Sequence, residues 1–205
     1  GVPRCGSTLI EKIVASGTKH IPIGEETDVL RNLVPQMIKQ NSFSNLDIKD
    51  LKKKIIKKFY QKELIQEKYD YIFTDKSLDN FFYIGLIYEM FPNAKVINCK
   101  RDPLSQIMSI FKTIFRTIPW GHDLEHIFKY MDIYHGMIKN YKRKFPNLIY
   151  DLDYQDFVNN PEAESKKLLK FCNLPWDKKC LEYYKRKDII SKTASKLQIK
   201  NAIYK

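Results

Sequence analysis

Two glycines at the start of the chain constrain what it can fold into more than any other feature. The first eight residues are Gly1-Val2-Pro3-Arg4-Cys5-Gly6-Ser7-Thr8. They fit G-x-x-x-x-G-x-[ST], a loop whose glycines let the backbone wrap closely around a phosphate with its N–H groups turned inward. Leu9, Ile10, Ile13 and Val14 follow on one helical face, so the loop runs into a helix whose positive N-terminal end favours an anion. Arg4 adds a planar donor fork suited to a tetrahedral oxyanion. Thr8 adds a hydroxyl. Ser7 stands where nucleoside triphosphatases carry the lysine that reaches the β- and γ-phosphates, which argues against ATP hydrolysis. The plain alternative at this point is an ordinary glycine-containing turn before a helix.

A second candidate cradle lies a hundred residues on. Lys95-Val96-Ile97-Asn98-Cys99 reads as a strand, as do Tyr71-Ile72-Phe73 and Leu148-Ile149-Tyr150, each short and rich in β-branched or aromatic residues. Arg101 would stand at the carboxyl end of its strand, where open α/β sheets bind ligands. Pro103 fits the first position of a helix running to about Ile114, and Ser109 falls about two turns after Arg101. That arginine and serine could clamp a second phosphate; a salt-bridged surface pair is the simpler reading. Amphipathic stretches fill the gaps. They run from Thr8 to Ala15, Leu46 to Lys68, Ser77 to Phe91 and Asp123 to Phe145, with a last one opening at Asn160-Pro161-Glu162 and ending near Asn173. Short strands alternating with helices predict an α/β fold in one domain spanning residues 1–205.

Composition removes other classes. With 43% apolar and 29% charged residues the chain is neither disordered nor fibrous. No apolar run reaches the roughly 18 residues of a membrane span, and Arg4 and Glu11 interrupt the early apolar stretch, so no signal peptide opens it. Cys5, Cys99, Cys172 and Cys180 form no CxxC pair and no disulfide scaffold, which suits a reducing, cytoplasmic setting. The net charge of +12 favours anionic partners. Both ends look cut, since a phosphate loop normally follows a buried strand and the tail carries no stop signal.

Taken together these pieces resemble the sulfotransferases that use 3′-phosphoadenosine-5′-phosphosulfate (PAPS). Pro3-Arg4-Cys5-Gly6-Ser7-Thr8-Leu9 is similar to that family's PRSGTTL loop, with Cys5 for the serine and Ser7 for the threonine. Arg101-Asp102-Pro103 with Ser109 resembles its 3′-phosphate segment. Lys192-Thr193-Ala194-Ser195 with Gln198-Ile199-Lys200 resembles a TxS…Q-V-[RK] loop of the tyrosylprotein-type and bacterial branch, and Asp153-Tyr154-Gln155-Asp156 resembles that branch's YEDL. Gly24-Glu25-Glu26-Thr27 is similar to the GEET stretch of tyrosylprotein sulfotransferases, and Phe171-Cys172-Asn173-Leu174-Pro175-Trp176 to an FCGLPW-like turn.

The resemblance implies a P-loop-type three-layer fold, with a central parallel sheet flanked by helices. It implies catalytic roles for Glu26 (base, with Glu25 its neighbour), Lys76 and Arg4. It implies nucleotide contacts from Arg4, Cys5, Gly6, Ser7, Thr8, Arg101, Ser109, Tyr154, Thr193, Ser195, Gln198 and Lys200. PAPS would be the donor and adenosine 3′,5′-bisphosphate the product. The acceptor would be a hydroxyl on a protein, a glycan or a small molecule, with no metal and no nucleic acid in the scheme. Ile23 stands where Golgi enzymes carry a disulfide cysteine, so residence in the Golgi lumen would need an anchor ahead of Gly1. Three rivals are weighed. A P-loop nucleotide kinase would want the absent lysine. A basic nucleic-acid binder would rest on Lys52-Lys53-Lys54, Lys57-Lys58 and Lys142-Arg143-Lys144 without any recognised motif. A zinc protease would rest on His122-Asp123-Leu124-Glu125-His126 and would need a third ligand.

Overall fold

The computed structural model describes residues 1–17, 21–41, 45–66, 72–113, 115, 118–186 and 203. Two parallel strands, β1 (Val96–Lys100) and β2 (Ile149–Asp153), pair in register from Val96 opposite Ile149 to Lys100 opposite Asp153. Strand alternation sends Ile97, Cys99, Tyr150 and Leu152 to one face. There they meet helix α1 (Ser7–Ala15), helix α8 (Pro161–Phe171) and the 3₁₀ stretch Lys178–Lys185. Val96 and Ile149 face the other way, against α5 (Pro103–Phe111) and α6 (Leu124–Lys144). Helices therefore cover both faces of a parallel sheet, the α/β layering expected from the sequence. Ile13, Leu168, Ile110 and Ile127 are wholly buried in these layers, and each such side chain contributes roughly 1.5–3 kcal/mol.

A third apolar cluster joins α2 (Val29–Asn41), α3 (Ile48–Gln61) and α4 (Ile84–Met90). Asp47 caps α3 by accepting from the amides of Lys49 and Asp50. Its buried residues Leu51, Ile55 and Phe59 repeat at helical spacing while the lysines face water. Among the described residues no helix is long and apolar enough to cross a membrane.

Four sequence expectations are corrected. Tyr71 lies outside the described residues, and Ile72 and Phe73 belong to no strand; among the described residues nearby, Thr74 makes an isolated bridge with Ile23. The Thr74 amide donates to the Pro22 carbonyl and its carbonyl accepts from the Gly24 amide, so the pairing is limited to this one bridge. The helix expected over 77–91 divides into a 3₁₀ turn (Leu78–Tyr83) and α4, because Tyr83 leaves the helical region at φ −113°. Asn160 does not cap α8 through its side chain, and an unforeseen helix, α7 (Tyr154–Asn159), precedes it, capped by Asp153. A zinc site over His122-x-x-Glu125-His126 would need its two histidines one turn apart on a single helix, and they are not. His122 closes a 3₁₀ turn with Nε2 2.9 Å from the Phe115 carbonyl, and Asp123 caps α6 by accepting from the His126 amide.

Candidate active site

The strand register builds one side of the site. Lys100 pairs with Asp153 at the carboxyl edge of the sheet, so the next residues, Arg101 and Tyr154, leave it side by side. The Arg101 guanidinium lies 5.4 Å from the centroid of the Tyr154 ring, within cation–π range. The same ring packs on Gly6, where a Cβ would overlap it. Gly6 also has φ +92°, and Arg4 has φ +66°. Left-handed residues at two positions in three curl the loop into a concavity of the kind that binds anions.

Side chains from the second segment hold this loop. Arg101 donates to the Arg4 carbonyl at 3.2 Å, and Gln106 donates to the carbonyls of Pro3 (2.8 Å) and Val2 (3.3 Å). Arg4 in turn donates from Nε to the Ser109 hydroxyl at 3.0 Å. The two segments expected to hold opposite ends of a ligand are thus stitched directly together. Burial, and then the charge of Arg101, hold the Arg4 guanidinium below its ordinary pKa. Two guanidiniums this close repel, and an anion between them would relieve the repulsion. Under the loop, Cys5 and Cys99 are buried in one cluster, and the neighbouring Cys99 thiol, against the opposing effect of burial, holds Cys5 below the usual thiol range. Cys99 rises correspondingly.

The other side of the site is acidic and lacks regular structure. Gly24 approaches the Thr74 carbonyl so closely that a Cβ would collide with it, and its amide donates there at 2.9 Å. Glu25 follows at φ +48°, and Asp28 stands at φ +54°. The Glu25 carbonyl accepts from the Lys76 amide at 2.7 Å. Asp75 then organises the turn. One carboxylate oxygen accepts from the Ser77 amide (2.9 Å) and hydroxyl (2.6 Å), the other from the Thr27 hydroxyl (2.7 Å). Ser77 accepts from the Asp28 amide at 2.9 Å, so it ties two segments and does not cap the 3₁₀ turn through its side chain. The result sets Lys76 Nζ 3.0 Å from Glu26 Oε1, with the lysine side chain 8% exposed and the glutamate 43%.

The structure thus brings Arg4, Cys5, Gly6, Arg101, Ser109 and Tyr154 together, with Ser7 and Thr8 opening α1 beside them. It pairs Glu26 with Lys76. Thr193, Ser195, Gln198 and Lys200 lie outside the described residues. Sequence reasoning missed Glu11, Thr27, Asp75 and Gln106. Glu11 carried a signal: a carboxylate on a helix whose neighbours Leu9, Ile10, Ile13 and Val14 are all core.

Comparison with known proteins bears on the same residues. A family model described as "Sulfotransferase family" matches residues 1–178. An uncharacterized protein of Aquifex aeolicus is 34% identical over 224 aligned residues, which take in 100% of this chain and 29% of that protein. The omega-hydroxy-beta-dihydromenaquinone-9 sulfotransferase Stf3 of Mycobacterium bovis, and that of Mycobacterium tuberculosis, are each 26% identical over 108 residues, or 48% of this chain and 28% of theirs. The chain therefore spans less than a third of the length of these relatives.

Proposed function

The chain belongs to the sulfotransferase family, and on that premise we propose that it moves a sulfuryl group from PAPS to an acceptor hydroxyl by in-line displacement. The observation that carries this reading is the join between Arg4, Ser109 and Arg101 over the Tyr154 ring. Two guanidiniums, a hydroxyl, loop amides and a helix N-terminus would make a donor set for a bisphosphorylated nucleotide. Arg101 and Ser109 would hold the 3′-phosphate. Loop amides from Gly6 to Thr8, with Arg4, would hold the 5′-phosphosulfate.

PAPS supplies an activated sulfur whose bond to the nucleotide oxygen breaks as the acceptor oxygen bonds to it. The chain's own groups do the rest. Glu26 takes the acceptor proton, because a phenol at pKa ~10 or an aliphatic alcohol does not ionise unaided at neutral pH. Lys76 and Arg4 neutralise the charge that grows on the leaving oxygen and sulfonate, as preorganised cations do in phosphoryl transfer. The Glu26–Lys76 ion pair fits both roles. It keeps a base and a cation within one bond of each other, and Lys76, being the more buried, is the fixed partner.

The test is transfer of labelled sulfur from PAPS to a panel of hydroxyls: a tyrosine peptide, a glycan, a simple phenol and a long-chain alcohol. The long-chain alcohol is included because the mycobacterial relatives are named for a hydroxylated menaquinone. Label on any acceptor supports the reading. Phosphate transfer from ATP, with none of the panel labelled by PAPS, would replace it with kinase chemistry. A shift on duplex DNA with no response to adenosine 3′,5′-bisphosphate would replace it with nucleic-acid binding.

A further inference from the structure

The helix that closes the phosphate loop also carries a buried acid with no place in the chemistry above. Glu11 lies one turn into α1 from Ser7 and is 6% exposed. A carboxylate so placed must be hydrogen-bonded. Its Oε1 accepts twice, from the Glu25 amide at 3.1 Å and from the Thr74 hydroxyl at 2.7 Å. Neither partner belongs to the phosphate loop. Both belong to the two unstructured segments that present Glu26 and Lys76.

The residue it grips is strained. Glu25 holds φ +48°, a conformation that costs a non-glycine residue energy and persists only where its surroundings fix it. Its backbone is bonded on both sides here. Glu11 holds its N–H, and the Lys76 amide holds its C=O. Glu26 is the next residue, so its carboxylate direction follows from that peptide. We propose that Glu11 is a positioning residue for sulfuryl transfer: by clasping Glu25 and Thr74 it sets the Glu26–Lys76 pair at a fixed place relative to the phosphate loop. The inference rests on the roles given to Glu26 and Lys76 above. It adds that the loop helix, through a carboxylate of its own, helps align the base with the donor.

Two variants test it in the full chain. Glu11→Met fills the volume without an acceptor, and Glu11→Gln restores an acceptor oxygen without the charge. Amide hydrogen exchange at Glu25 is read first, with α6 amides as the reference for intact folding. In Glu11→Met the Glu25 amide loses about tenfold of its protection, the share expected of one hydrogen bond, while α6 is unchanged. In sulfuryl transfer the same variant loses kcat by about 10–100-fold, as a misplaced group does, with KM for PAPS within about threefold. Glu11→Gln recovers both. Unchanged Glu25 protection in Glu11→Met overturns the proposal, as does wild-type kcat despite lost protection, or a Gln variant as impaired as Met. Full turnover in Glu26→Gln would instead remove Glu26 as base. It would leave the Glu25 exchange result standing, so the two failures are distinct.

Discussion

The side of the site proposed to hold the nucleotide (the nucleotide side) and the acid side are built by opposite means. On the nucleotide side, regular elements do the placing. A strand pair ends in register, a helix begins after Gly6, and Arg101, Tyr154 and Ser109 take their positions from those elements. On the acid side, residues 22–28 and 74–77 share one isolated bridge and the backbone bond from the Lys76 amide to the Glu25 carbonyl. Beyond those backbone bonds they are held by side chains that reach between segments: Glu11, Thr27, Asp75 and Ser77. The first side depends on backbone conformation and close packing, as at Gly6 against Tyr154. The second concentrates its order in a few hydrogen bonds between segments.

The largest expected effect is on chemistry. Glu26→Gln should lower kcat by about 10²–10⁴-fold, the usual worth of a general base, with little change in Tm, since Glu26 is 43% exposed. Steady-state kinetics beside a melting curve measure both, and a loss of Tm matching the loss of rate would blur the division between the two sides. Next is Gly6→Ala on the nucleotide side. The positive φ and the collision with Tyr154 should together cost about 2–3 kcal/mol, read by denaturant unfolding. A neutral result would mean that the loop relaxes away from Tyr154.

A pH effect of about 2 kcal/mol should follow on the acid side. Burial, opposed by the Thr74 hydroxyl and Lys76, raises the Glu11 carboxyl from 4.5 to about 6. The folded state then binds a proton more tightly than the unfolded chain. This contribution is fully present below pH 4.5 and is lost as pH rises to 6, about 1.5 units at 1.36 kcal/mol each. Glu11→Gln should remove that slope and melt higher than wild type at pH 8. Equal pH profiles for the two proteins would show that Glu11 is not held as described. The smallest effect is Thr27→Val, which deletes the bonds to Asp75 and the Val29 amide and should cost about 1 kcal/mol.

The same division explains what could be read from the sequence. The loop, β1 with Arg101 and Ser109, β2, α1 and α6 were legible because periodicity, glycine and cap signals all agree there. Helix α2 was not, because Pro35 lies inside it and proline argues against a helix interior. Burial of Leu30, Val34 and Met37 at 1–4% exposure outweighs that penalty. Helix α7 has six residues, too few to show a period. Glu26 and Lys76 were singled out by resemblance alone. The groups that hold them, Glu11 and Asp75, bond across 14 to 63 positions of sequence, and no local pattern encodes such a bond.

The most direct measurement of the central claim is calorimetric titration with adenosine 3′,5′-bisphosphate of the wild-type chain and of Arg101→Ala. Tight, stoichiometric binding by the wild type, weakened about 10–100-fold by loss of one charged hydrogen-bonding partner, is the predicted result. Equal affinity in both proteins, or no binding by either, would contradict the account.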